Sequence, residues 1–88
     1  MFKKLRSLAL PYEKQGLIYF TCLNYDDMPL RVQKKIDQLC IEVGGSEYYQ
    51  ALKDVMTGKK TITQAARDCP CGESTLNRRR MRFYKSWH

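Results

Sequence analysis

The sequence predicts a single all-α domain, and three observations predict it. Apolar residues recur at helical spacing along the chain, and no segment alternates cleanly at period two. The chain has 88 residues, enough for one small domain and too few for a two-domain enzyme or a large barrel. At 43% hydrophobic and 28% charged, with 5 Gly and 3 Pro, its composition is that of a globular protein. The expected architecture is one domain over 1–88, a compact bundle of four to five short helices. It has an N-terminal segment over 1–25, supporting helices over 29–57 and a closing helical pair over 63–86.

The first helix is expected over about 12–23, after Pro11, with Leu17, Ile18 and Cys22 as its buried stripe. Tyr19-Phe-Thr21 leaves a strand open there, and Asn24-Tyr-Asp-Asp27 reads as a turn. The second helix is expected over 29–43, with Pro29 at its first position. Val32, Ile36, Leu39, Cys40 and Val43 form its apolar face, and Arg31, Lys34, Lys35, Asp37 and Gln38 lie largely off it. Gly44-Gly45 supplies a stop.

The third helix is expected over 47–57, with Ser46 as N-cap, Tyr48, Ala51, Leu52, Val55 and Met56 as stripe, and Gly58 as terminator. The fourth is expected over 64–69, with Thr63 as N-cap and Ile62 outside it as a staple; Pro70 ends it. The fifth is expected over 73–86, with Gly72 as N-cap and Glu73 complementing the positive helix end. A rotation of about 100° per residue puts Leu76, Arg80, Phe83, Tyr84 and Trp87 on one side of it. Ser74, Arg78, Met81, Arg82 and Lys85 fall on the other.

Charge is concentrated at one end. The formal net charge is +7, and residues 57–88 hold eight Lys/Arg against two acids. Such asymmetry points to an acidic partner. No apolar run approaches the roughly 20 residues needed to span a bilayer; Met1-Phe-Lys-Lys-Leu-Arg mimics the basic start of a secretory leader, but Ser7-Leu-Ala-Leu is too short for its apolar region before Pro11. A cytoplasmic location with no membrane partner is therefore expected. Cys22, Cys40 and the Cys69-Pro70-Cys71 pair lack the paired CxxC knuckles usual for zinc, so they read as small buried apolar residues; no metal and no cofactor are expected.

Enzyme chemistry is not expected. The sole histidine is His88, Gly44-Gly45 lacks the Gly-Lys-Ser/Thr of a phosphate loop, and the acids form no obvious pair. Tyr48-Tyr49 offers a stacking platform for bases, but tyrosines at helical spacing read first as core.

One segment carries a functional signature. In Thr63-Gln-Ala-Ala-Arg-Asp-Cys-Pro-Cys-Gly-Glu-Ser-Thr-Leu-Asn-Arg-Arg-Arg80, Ala66 is small where two helices would cross. Pro70 sits at the turn, and Leu76 falls where the second helix must bury an apolar side chain. The segment resembles a helix-turn-helix of the kind found in sigma-factor region 4 and in small transcription regulators of phages and mobile elements. It departs from them at Pro70, where the turn usually has Gly, and at Arg79, where an apolar residue is common.

The resemblance implies sequence-specific binding of double-stranded DNA and transcription regulation, with the N-terminal residues of the second helix in the major groove. Arg78 and Asn77 are the candidate base readers, and Ser74 and Thr75 contact bases or phosphates. Glu73 opens the same helix, while Arg82, Lys85, Lys59 and Lys60 are candidate backbone contacts. The alternative is an interaction module docking on RNA polymerase, sigma-like or antitermination-like, with or without RNA binding. Its contact surface would be the aromatic-rich start of the chain (Tyr12, Tyr19, Phe20, Tyr25). A homodimer on paired half-sites stays open, since most helix-turn-helix regulators bind as dimers, although no heptad seam is visible.

Overall fold

A computed structural model of the protein describes residues 10–68 and 72–87. Within them the order is α1 (Tyr12–Leu23), a 3-10 turn (Tyr25–Asp27), α2 (Leu30–Met56), α3 (Ile62–Arg67) and α4 (Glu73–Ser86), with no strand. The predicted all-α bundle is the observed one. Among the described residues no helix is long and apolar enough to cross a membrane. The expected turn at Cys69-Pro70-Cys71 lies outside the described residues, as does His88.

Over Tyr12–Leu23 the chain is helix, not strand. Ile18 and Cys22 are buried as expected, but Leu17 is 64% exposed and Gln15 takes the buried place beside them. The correction has a local cause. The Gln15 amide donates to the Leu10 carbonyl at 3.0 Å, so a polar side chain is tolerated inside.

Pro29 is the N-cap of α2 and not its first residue, because its ψ of 152° keeps it extended. The segments expected as separate helices over 29–43 and 47–57 are the two helical limbs of α2, divided at Gly45 where the Gly44-Gly45 stop was expected. Its φ of 71° and ψ of −178° suit essentially glycine alone. The break is a sharp one. Lys53 Nζ lies 2.8 Å from Asp37 Oδ1, whereas on a straight helix these residues would sit about 24 Å apart along the axis. The limb over 46–56 therefore folds back beside the limb over 30–44, and Ser46 is the first helical residue of the second limb, with non-helical Gly45 in the place expected of Ser46. The backbones meet closely at the fold: a Cβ on Gly44 would lie 2.9 Å from the Tyr49 backbone. The Tyr25 hydroxyl also donates to Asp37, at 2.9 Å to Oδ2, tying the 3-10 turn to the same corner.

The cap of α3 is Thr61, not Thr63. The Gln64 N–H donates to Thr61 Oγ1 at 3.2 Å, and the Thr61 N–H donates to Gln64 Oε1 at 3.1 Å. This reciprocal box needs Gln three residues after the cap, which Thr61 has and Thr63 lacks. Accordingly α3 spans Ile62–Arg67 rather than 64–69, with Ile62 inside it. Ala65 is the fully buried small residue, and Ala66, expected at the crossing, is only partly buried.

The bounds of α4 and its Gly72 cap are as predicted. Leu76, Phe83 and Tyr84 enter a core shared with Ile18, Cys22, Ile36, Leu39, Cys40, Val43, Leu52 and Met56. Met81 is not outward: it packs against this core. Burying Phe83 alone contributes about 1.5–3 kcal/mol.

Candidate nucleic-acid interface

The outer face of α4 follows from what its inner face buries. With Leu76, Phe83 and Tyr84 turned inward, Ser74, Arg78, Arg82 and Lys85 are exposed and Thr75 is half-exposed. Thr75, Arg78, Arg79 and Arg82 line a shallow groove of about 290 Å³. Among the described residues no carboxylate pairs with Arg78, Arg82 or Lys85. Their positive field is therefore directed at solvent.

Two arginines beside this face are structural. Arg79 donates from Nη1 to the Val43 carbonyl at 3.1 Å. Its guanidinium also lies 5.9 Å from the Tyr48 ring centroid. It thus joins α4 to both limbs of α2, beside the Gly45 break, and a polar side chain seats the helix. Arg80 donates from Nη2 to Asn77 Oδ1 at 2.6 Å. Its Nε is buried with no hydrogen-bond partner. Half-buried Asn77 is thereby engaged within α4, on the edge of the outer face, whereas Arg78 is exposed.

The other expected contacts lie around α3. The Glu73 carboxylate accepts from Thr63 Oγ1 at 3.2 Å, which links α3 to the start of α4. Lys59 is exposed in the turn after α2. Lys60 lies 2.8 Å from Asp68 and 3.6 Å from Asp54. The Asp68 hydrogen bond raises the Lys60 pKa and holds the Asp68 carboxyl below its usual range. Lys60 is thus held charged and paired with its own neighbours, unlike Arg82. Arg67, not singled out in the sequence, borders a groove of about 350 Å³ with Lys59 and Gln64. Its signal was available, since it is one of the eight bases in 57–88.

Beneath the face, Cys22 and Cys40 are free buried thiols. Burial, and then the neighbouring Cys40, pushes the Cys22 thiol up to about 12, and burial with nearby Asp37 does the same for Cys40. Burial also raises Tyr84 to about 12. These groups stay neutral and pack. Among the described residues no three His, Cys, Asp or Glu side chains converge as metal ligands. Set against known protein families, curated proteins and solved structures, the chain matches none.

Proposed function

We propose that the chain binds double-stranded DNA sequence-specifically through α3 and α4, acting as a helix-turn-helix, and regulates transcription. One observation carries this reading. Arg78, Arg82 and Lys85 share an exposed face of a helix anchored by Leu76 and Phe83, with no paired acid among the described residues. An anchored helix can enter a major groove without first being ordered, so its side chains meet base edges at low entropic cost.

In this mechanism Arg78 reads guanine through two parallel hydrogen bonds. Ser74 and Thr75 contact bases or phosphates near it, and Arg82, Lys85 and Lys59 contact the backbone, which positions the protein. Selection of bound sequences from a random duplex pool tests the reading. An enriched motif is expected, with Arg78→Ala relaxing preference at one position by about 1–3 kcal/mol. A palindromic motif would indicate a dimer and a single short one a monomer. Absence of duplex binding at low salt overturns the proposal.

A second reading, docking on RNA polymerase, is favoured by α1. Leu17, Phe20 and Leu23 are exposed on a helix whose opposite face is buried. Recovery of polymerase after nucleic acid has been digested would support it, and loss of recovery on digestion would remove it.

A further inference from the structure

A second basic surface lies outside α3 and α4. On α2, Arg31, Lys34 and Lys35 line a groove of about 410 Å³ with Gln38, Leu39 and Glu42. Arg31 and Lys34 are exposed, and among the described residues neither pairs with an acid. Lys35 Nζ sits 4.3 Å from the centroid of the Trp87 ring, at the far end of α4.

Two contacts fix how this groove relates to the α4 face. Lys35 meets Trp87, and Val43 meets Arg79. Eight residues separate each pair along its helix, so the first limb of α2 runs antiparallel to α4. One flank of each helix turns toward α1: Cys22 neighbours Cys40 of α2 and Tyr84 of α4. The other flanks, with Arg31 and Lys35 on α2 and Arg82 and Thr75 on α4, therefore border the same open side of the seam. At 1.5 Å per residue, the basic surface from Arg78 past Trp87 to Arg31 is about 20 Å long. That exceeds the roughly 12 Å width of a major groove.

We infer that the flank of α2 bearing Arg31, Lys34 and Lys35 holds the phosphate backbone of the same duplex, beyond the groove that α4 enters. The inference rests on the DNA-binding reading of α4. With the start of α4 in the groove, its far end and the α2 flank lie over the bordering strand. The flank carries charge without a rigid reading element, so it adds affinity rather than sequence preference. Lys35 is held over Trp87 and marks where the two surfaces join.

Salt titrations of duplex binding test it, using wild type, Arg31→Gln/Lys34→Gln, Arg78→Ala/Arg82→Ala and the control Lys14→Gln. Losing two phosphate contacts lowers affinity roughly 60-fold at 0.1 M salt and the log–log slope by about 1.8. The α2 double variant is expected to show this with the selected sequence motif unchanged, while Arg31→Lys retains wild-type binding. If wild type and the control bind alike and the α2 variant matches them while the α4 variant fails, the α2 inference is overturned and the α4 reading stands. If Lys14→Gln costs as much per charge as the α2 variant, the flank has no special part. If wild type binds no duplex, both fall. If an acidic protein segment competes for the α2 flank without displacing DNA, the flank is a protein surface and the inference is wrong.

Discussion

Lys60 and Arg82 are both cations in the basic third of the chain, yet their surroundings differ. Lys60 sits at the α2–α3 corner, within reach of Asp54 and Asp68. Arg82 stands on the outer face of α4 with no acid paired to it among the described residues. The same contrast divides Lys53, bound to Asp37, from Arg31 and Lys34 of the first limb of α2, which pair with no acid among the described residues. Paired cations hold loops and limbs together. Unpaired ones keep their field for an outside anion, so net charge alone overstates the positive surface open to solvent, and the pairing pattern marks where that surface lies.

The contrast can be broken most forcefully by removing what seats the outer face. Phe83 is fully buried, so Phe83→Ala should cost about 3–5 kcal/mol in denaturant unfolding, and DNA binding should be lost with the fold. Arg78→Ala/Arg82→Ala should do the reverse. Unfolding should be unchanged while duplex affinity drops on the order of 50-fold at 0.1 M salt, read by fluorescence anisotropy. Gly45→Ala should cost about 1–3 kcal/mol, because a side chain there is strained at φ 71°. It should also slacken the Lys53–Asp37 corner, visible as faster amide exchange.

Alkaline pH probes the interior beneath both regions. Cys22 and Cys40 are raised from 9.0 to about 12 in the folded protein. Between those values the unfolded chain releases thiol protons that the folded one keeps, so stability is full below pH 9 and declines above it. Tyr84 acts with the same sign from its ordinary value of 10.0 upward. Urea midpoints should be level from pH 7 to 8.5 and lower at pH 10.5. Iodoacetamide at pH 8 should label Cys22 and Cys40 only on unfolding. A midpoint that does not fall would contradict this account of the core.

Much of this was legible in the sequence, and the misses have physical causes. The α4 bounds and most of its outer face followed from Gly72, Glu73 and the spacing of Leu76, Phe83 and Tyr84, which are local signals. The α3 cap was legible too: the box runs from Thr61 to Gln64, and Thr63 offers no partner at its third residue. Buried Gln15 was not legible, because its inward place depends on a carbonyl outside the apolar stripe. The seat of Arg79 lies 36 residues away in sequence, on Val43, where no pattern reading reaches. Arg31, Lys34 and Lys35 were visible as residues off the apolar face of α2. Their place beside α4 required the fold.

The most direct test compares the salt dependence of duplex binding in Lys60→Gln and Arg82→Gln, which remove the same charge from the two regions. Arg82→Gln should lower the log–log slope by about 0.9 and weaken binding about eightfold at 0.1 M salt, while Lys60→Gln should leave both close to wild type. Equal effects of the two substitutions, or no duplex binding by wild type at low salt, would contradict the claim that the unpaired face of α4 is the DNA-binding surface.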